Sequence, residues 1–265
     1  MSSLAELRQS RELMVNLTLR ELRSKYKRSF LGWTWSLLNP LASMLVFTIV
    51  FQYFLDVEAP PGEPSGMHTF AFFLLCGLLP WNFLSNSINA SMGVLVGNSN
   101  LIKKVYFPRE VLVVANVASW DVALLLELGV LSVALLVAGN FVIPWLLPTL
   151  LLVVVQSIFV IGVGLLLSVL TVYFRDIQHF VGIFLQIWFY ATPIVYPLDF
   201  VPRRVRFLYE LNPMVRFVEA YRDCLYNLRL PPLLDTLYLV VVAAATLGLG
   251  LFVFARLEPK LAEEL

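Results

Sequence analysis

The sequence predicts an all-α integral membrane protein with six transmembrane helices, an N-terminal amphipathic interfacial helix and short re-entrant helices before the last span. Hydrophobic residues make up 59% of the chain and charged residues only 14%, whereas soluble domains are about 45–50% apolar and about 25% charged. The apolar residues form long continuous runs rather than alternating patterns, which favours membrane helices over barrel strands.

Each apolar run is long enough to cross a bilayer, because a helix needs about 20 residues to span the ~30 Å hydrocarbon layer. The six runs cover residues 31–55, 68–95, 110–138, 144–173, 177–197 and 233–255. We find no internal repeat and no soluble segment, so residues 1–265 are predicted to form a single transmembrane domain.

Residues 4–29, before the first run, have the pattern of an amphipathic helix. One face carries Val15, Leu19, Leu22, Tyr26 and Phe30. Most of the remaining surface is basic and holds Arg20, Arg23, Lys25, Lys27 and Arg28. Such a helix lies in the headgroup layer with its cations near anionic lipid.

Charge distribution predicts that both termini are cytoplasmic. Basic residues precede the first run, join the second run to the third at Lys103 and Lys104, join the fourth to the fifth at Arg175, and follow the sixth. With six spans, all these segments fall on one side, which the positive-inside rule makes the cytoplasmic one. The first outer loop is acidic, with Asp56, Glu58 and Glu63.

Residues 199–232 depart from this rule, because they should lie outside and yet hold six arginines interleaved with acids. Prolines at 197, 202, 213 and 231 divide the segment into short pieces. We predict one or two short amphipathic helices at the outer face, re-entrant in character. An ordinary surface loop is the alternative.

Several kinds of chemistry are missing from the chain. No Lys follows a Gly, so a P-loop for ATP is excluded. His68 and His179 lie far apart without a Cys or acid cluster at metal spacing. We therefore expect no catalytic residue, no metal site and no cofactor on this chain. Cys76 and Cys224 are expected to be structural.

Asp121 and Glu127 lie inside the third run, and acids at such depth are candidates for ion coupling. Six residues correspond to about 240° of helical rotation, so the two carboxylates do not share a face. The alternative is that each one bonds to Asn, Ser or Gln on a neighbouring helix.

Four stretches, taken together, resemble one known family, the permease subunits of ABC-2-type polysaccharide exporters that move O-antigen, capsule or teichoic acid. They are KYKRSFLGWTWSLLNPL (25–41), NSNLIKKVYFPREVL (98–112), VYFRDIQHFVGIFLQIWFYATPIVYP (172–197) and LNPMVRFVEAYRDCLYN (211–227). They occur in the family's order and extend over nearly the whole chain.

The resemblance implies a multi-pass protein of the bacterial inner or plasma membrane, working as a homodimer with two separate ATPase subunits that bind ATP and Mg. It implies that short cytoplasmic loops couple the permease to the ATPase. The residues that match these loops are Asn100, Lys103, Lys104, Tyr106, Phe107, Pro108, Arg175 and Asp176.

The resemblance also implies a glycan substrate carried on undecaprenyl pyrophosphate or a similar lipid, and no nucleic-acid partner. The N-terminal helix would then be a gate whose cations meet the pyrophosphate through Arg20, Arg23, Lys25, Lys27 and Arg28. Anchoring to anionic membrane lipid explains the same charges.

Aromatic residues make up 14% of the chain. Trp33, Trp35, Trp81 and Trp145 flank the runs and are expected to be interfacial anchors. Deeper aromatics could guide a glycan by packing on the C–H faces of sugars, or could simply pack against lipid and helices. These candidate channel residues are Phe51, Tyr53, Phe72, Phe73, Phe184, Trp188, Phe189 and Tyr190.

Three other functions remain open from sequence. An ABC-2 permease for a drug or another lipid-like substrate would share most of these features. An ion-coupled carrier would use Asp121 and Glu127, although carriers usually show inverted repeats and broken helices. A membrane-embedded enzyme would need an acid or metal motif at an interface.

Overall fold

The computed structural model describes residues 11–25, 32, 34–105 and 107–261, and all regular elements in these ranges are helical. Ten α-helices form there: α1 (Arg11–Lys25), α2 (Thr34–Phe47), α3 (Phe70–Gly97), α4 (Ser99–Lys104), α5 (Glu110–Val137), α6 (Leu146–Tyr173), α7 (Ile177–Tyr190), α8 (Arg203–Leu211), α9 (Pro213–Arg222) and α10 (Leu233–Leu257). The predicted all-α class is confirmed.

Five of the described segments are long and apolar enough to cross a membrane. They are Leu37–Phe54, Phe70–Gly97, Glu110–Val137, Ile143–Tyr173 and Leu233–Leu257. The first joins α2 to a π-helical turn over Thr48–Phe54, and the fourth joins a 3₁₀ turn over Ile143–Trp145 to α6. Five of the six predicted runs therefore coincide with membrane-length helices.

The predicted span over 177–197 is the exception, because its helix α7 ends at Tyr190. Its 14 residues extend about 21 Å, which is less than the ~30 Å hydrocarbon layer. Pro193 follows, and proline both lacks the amide hydrogen that a helix needs and pushes the preceding residue towards extended backbone. A sixth continuous spanning helix is thus not confirmed.

Helix α3 lies at the centre of the bundle and contacts α2, α5, α6, α7 and α9. The most extensive contact is between α6 and α10. These two helices meet at Gly162 and Gly250, where an added Cβ on either residue would overlap backbone atoms of the opposite helix. The absence of side chains at these glycines is what lets the two backbones approach so closely.

Two hydrophobic clusters define the two ends of the bundle. One, at the α1 end, joins Leu17 of α1 to Leu95, Leu112, Val169 and Phe254. The other, at the α9 end, joins α9 to the first half of α3 and to α6. Leu17 and Leu261 belong to the same cluster, so both ends of the described chain lie at the α1 end.

The segment 199–232 forms two short helices, α8 and α9, as predicted. Asn212 caps α9, because its side-chain oxygen accepts a hydrogen bond from Met214 N, and Pro213 occupies the first turn. Helix α8 is largely exposed, whereas α9 is not the surface helix that the sequence suggested. Its apolar face is buried against the core, with Phe217 and Tyr221 fully enclosed.

Candidate functional site

Four separate segments meet at the α1 end of the molecule: α1, the α4 helix with its following loop, the turn 174–176 and the C-terminal turn Glu258–Lys260. Helix α4 connects α3 to α5, and the turn 174–176 connects α6 to α7. Gln178 lines the same cleft as Gly97 and Asn98, so the turn before α7 reaches the beginning of α4. Each connection therefore joins two long helices to one shared surface.

The coupling residues predicted from sequence divide into an exposed group and an anchoring group. Asn100, Lys103, Lys104, Arg175 and Asp176 are exposed at this surface. Phe107 is buried and Pro108 half-buried, and Phe107 packs in the same cluster as Ile102 of α4. Tyr106 lies outside the described residues. Lys103 and Lys104 are thus accessible on a short helix that apolar side chains fix to the bundle, and Arg175 and Asp176 are accessible on the turn before α7.

Two hydrogen bonds connect the C-terminal turn to the rest of the α1 end, and neither was predicted from sequence. Arg109 donates from Nη1 to the carbonyl of Glu258 at 2.6 Å, and Tyr173 Oη donates to the carbonyl of Leu257 at 3.3 Å. Burial raises the pKa of the Glu258 carboxyl above its ordinary value, and the nearby Glu110 carboxylate raises it further. Since the partners are backbone carbonyls, no sequence motif could have revealed this contact.

The basic residues of α1 are placed only in part. Arg20 is exposed and donates from Nη2 to Asn98 Oδ1 at 2.6 Å and to Glu21 Oε1 at 2.8 Å. Arg23 is exposed. Lys25 ends the helix, with a side chain outside what the structure describes, and Lys27 and Arg28 lie outside the described residues. Arg20 therefore links the N-terminal helix to the end of α3.

Helix α1 packs through a set of apolar residues that shares only Leu22 with the predicted face. Leu17 and Leu22 are buried, with Leu13 and Met14 beside them, and the helix contacts α5. Of the predicted face, Leu22 is buried and Val15 and Leu19 are exposed, while Tyr26 and Phe30 lie outside the described residues. The helix thus has one apolar face towards the protein and a second, exposed one that remains available to lipid.

Most of the predicted channel aromatics lie in one connected cluster where α2, α3 and α7 meet. The ring centroids of Trp81 and Trp188 are 5.8 Å apart, and Phe184 lies 5.3 Å from Trp188. The cluster also contains Phe47, Phe51, Phe189 and Tyr190. Trp81 is buried within it, so the prediction of an interfacial anchor at Trp81 is wrong.

The candidate aromatics differ in how far the protein covers them. Tyr53, Phe184 and Tyr190 are largely exposed. Phe72 is half-buried. Phe73 is only 3% exposed and lies beneath the Arg222 guanidinium, whose carbon is 3.6 Å from the ring centroid. The ring of Phe73 therefore faces the protein interior in this structure, not an open surface.

Two polar side chains hold the irregular segment that follows α7. Arg222, 1% exposed, donates to the carbonyls of Pro193 and Ile194 at 2.8 and 2.7 Å. It is paired with Glu219 at 2.7 Å. Asn212 donates to the carbonyl of Ala191 at 3.3 Å and accepts from Trp188 Nε1 at 2.8 Å. These bonds satisfy backbone groups that a continued helix would have satisfied itself.

The two intramembrane acids are separated as predicted. Asp121 accepts a hydrogen bond from Ser157 Oγ of α6 at 2.6 Å, which confirms the expected bond to a neighbouring helix. Glu127 lines a small apolar cavity with Leu37, Leu41 and Leu79. Within the described ranges, no group of three His, Cys, Asp or Glu residues is arranged to hold a metal ion.

The chain is similar to known transport proteins over most of its length. The family model described as ABC-2 type transporter matches residues 12–226. An O-antigen export system permease protein RfbA of Myxococcus xanthus is 32% identical, with 98% of each chain covered. An RfbA of Klebsiella pneumoniae is 30% identical over 91% of each chain. The polysialic acid transport protein KpsM of Escherichia coli is 25% identical over 91% of this chain and 92% of its own.

Proposed function

The chain belongs to the ABC-2 type transporter family, and we propose on that basis that it is the membrane permease of an ATP-driven polysaccharide exporter. The similar proteins that cover nearly its full length are named as permeases for O-antigen export or as a transport protein for polysialic acid. This agreement over nearly whole chains is the observation that carries the proposal. A drug permease has no such support.

The proposed complex contains two copies of this chain and two copies of a separate ATPase subunit that binds ATP and Mg. We place the contact between the two copies at helices α2 and α7, which expose large apolar side chains. Examples are Tyr53 and Phe54 after α2, and Phe180, Ile183, Phe184 and Ile187 on α7. A second copy covering this face would bury both helices in a shared core around the transport path.

The ATPase is proposed to dock on α4 and on the turn 174–176. Lys103 and Lys104 project from a helix that Ile102 and Phe107 fix to the bundle. A force applied to α4 therefore acts on both α3 and α5, and a force on the turn acts on α6 and α7. This rigid connection supports a coupling role better than a loosely held loop would.

The α1 end is proposed to be cytoplasmic, with the chain in a bacterial inner membrane. In this orientation the lysines of α4, Arg175 and the basic side of α1 lie inside, as the positive-inside rule requires. Helices α8 and α9 then lie at the outer face, where α9 and the irregular residues 191–197 are re-entrant. Non-helical backbone at that depth is tolerated when protein surrounds it, and Arg222 and Asn212 supply the required bonds.

The substrate is proposed to be linked to a lipid pyrophosphate that meets α1 from the inner leaflet. Arg20 and Arg23 are exposed on this helix, and guanidinium groups bind phosphate oxygens with two parallel hydrogen bonds. The exposed Val15 and Leu19 would rest in the acyl boundary. Lys25, Lys27 and Arg28 follow in the sequence as further candidate cations for this role.

The test is genetic complementation with a biochemical control. The chain is expressed in a host from which its own polysaccharide exporter permease has been deleted and its ATPase retained, or together with the ATPase of its native operon. We expect surface polysaccharide, detected by a specific antibody, only when the ATPase is active. Export that persists with an inactive ATPase, or ATP hydrolysis by the purified chain alone, would contradict the proposal.

A further inference from the structure

Helix α3 is largely buried, but its second half keeps one open face. The residues on this face are Asn82, Asn86, Asn89, Gly93 and Gly97. A helix turns about 100° per residue, so these five positions fall within a sector of about 80°. We call them the amide track. They form a polar strip on a helix that must otherwise face protein or lipid.

The amide track leads into a cleft with a volume of about 760 Å³. Arg20 and Asn98, which are bonded to each other at 2.6 Å, lie at its α1 end. Asn116 of α5 and Gln178 of α7 line its other walls. Binding sites for small molecules have volumes of about 300–1,000 Å³. The cleft is therefore large enough for a short stretch of a sugar chain.

The glycines of the track are not used for packing between described helices. A Cβ added at Gly93 or Gly97 would meet no atom within 4 Å. At Gly162 and Gly250, by contrast, an added Cβ would overlap the backbone of the facing helix. Gly93 and Gly97 thus leave the backbone of α3 uncovered inside the cleft, so a ligand can approach the helix backbone there.

The chemistry of the track suits a hydroxyl-rich ligand. An Asn side chain offers two donor hydrogens and an acceptor oxygen, which match the mixed donor and acceptor character of sugar hydroxyls. Asn89 donates to Ser85 O within its own helix, a bond that does not engage its amide oxygen. Amides facing lipid would be costly, so this face requires water or a polar partner.

We propose that the amide track binds the sugar chain in the inner half of its path, by exchanging hydrogen bonds between successive amides and successive hydroxyls. The proposal rests on the proposed export function. One helical turn advances about 5.4 Å, comparable to the length of one sugar along a chain, so neighbouring amides can contact neighbouring sugars. The row of amides and the open glycine positions favour a hydroxyl-rich chain over a second copy, because packing against another protein surface would leave these amides without partners.

Photocrosslinking tests this directly. The photoreactive residue p-benzoylphenylalanine is placed at position 86 or 89, and at Val133 of α5 as an exposed apolar control. Cells exporting radiolabelled polysaccharide are irradiated. We expect labelled polysaccharide attached at 86 and 89 and none at 133. Attachment at 86 and 89 only to lipid or to a second copy of the chain would overturn the proposal.

A second pair of variants covers the case in which the photoreactive residue itself stops export. Asn86→Leu with Asn89→Leu removes two amides, whereas Asn86→Gln with Asn89→Gln keeps them. Two lost hydrogen bonds predict an export rate about tenfold lower for the Leu variant, with the Gln variant near wild type. Equal export by both variants would overturn the proposal that the amide track binds the sugar chain. Failure of the wild-type chain to export would instead contradict the proposed function.

Discussion

Arg222 is a buried cation that holds several segments together at the α9 end. It is almost fully buried, stacks on Phe73 and donates to two carbonyls of the irregular segment after α7. A buried cation is tolerated only when it is paired and hydrogen-bonded, and here Glu219 and the carbonyls meet both requirements. Sequence could not reveal this, because Arg222 looked like one of six arginines in an outer segment.

Replacing Arg222 therefore destabilises the protein strongly. Arg222→Ala leaves Glu219 and the carbonyls of Pro193 and Ile194 without their partner, at a cost of about 3–5 kcal/mol by analogy with broken buried pairs. Arg203→Ala, on exposed α8, costs less than about 0.5 kcal/mol. Thermal unfolding of both variants in detergent gives the comparison. An unchanged melting temperature for Arg222→Ala would refute the assigned role.

Asp121 and Glu127 are expected to be dispensable for ATP-driven export. Asp121 is bonded to Ser157 on a neighbouring helix, which is the arrangement expected of a structural acid. Asp121→Asn together with Glu127→Gln should leave ATP-driven export within about twofold of wild type, since Asn also accepts a hydrogen bond from Ser157. Surface polysaccharide measured over time provides the rate. Loss of export by a variant that still folds would indicate ion coupling instead.

At the scale of elements, helix α7 shows where pattern and structure diverge. Its apolar run continues to residue 197, so hydropathy alone predicted a full span. The helix stops at Tyr190, and the next residues are held by Asn212, which caps α9, and by Arg222 of α9. A run of apolar residues indicates that a segment is removed from water. It does not indicate which backbone hydrogen bonds will be made by side chains from another part of the chain.

Helix α1 shows a related limit. Its basic character and its amphipathic pattern were visible in the sequence, but two apolar faces were present and only one was identified. Leu17 packs inside the bundle, while Val15 and Leu19 remain exposed. Periodicity shows that a helix is amphipathic, whereas the choice between two candidate faces depends on the neighbouring helix α5.

The contact between α6 and α10 predicts opposite effects for two glycine substitutions. Gly162→Ala places a methyl group against the backbone of Thr246 and Leu247, which forces the helices apart and costs about 1–3 kcal/mol. Gly248→Ala on α10 meets open space and should be neutral or stabilise by about 0.5–1 kcal/mol. Melting temperatures in detergent distinguish them, and equal effects would show that the close approach is unimportant.

Charge reversal on α4 tests its proposed docking role. Lys103→Glu with Lys104→Glu should weaken association with the ATPase subunit by at least about tenfold, or ~1.4 kcal/mol. The fold should persist, because both side chains are exposed. Arg203→Glu with Arg204→Glu on α8 is the matched control at the opposite end. Co-purification of the ATPase provides the readout, and equal recovery with both double variants would place the contact elsewhere.

In the molecule as a whole, a closed core is combined with exposed apolar helix surfaces and with the cleft beside α3. Helices α3, α5, α6 and α9 contribute most of the buried core, whereas α2, α7 and α10 expose many of their large apolar side chains. The all-helical class and five of the spans followed from composition and run length, because lipid imposes those features on any sequence. The cleft and the amide track could not be predicted from sequence, since they depend on which face of α3 stays uncovered in the fold.

The proposed function requires a separate ATPase to drive the movement of polysaccharide by this chain. Inside-out membrane vesicles containing the chain and its ATPase are supplied with radiolabelled lipid-linked polysaccharide and ATP, and protected label is measured. We predict that label accumulates in the lumen with ATP and not with a non-hydrolysable analogue, and that omission of either protein abolishes it. Accumulation of label without the ATPase, or accumulation driven by an ion gradient alone, would contradict the proposed function.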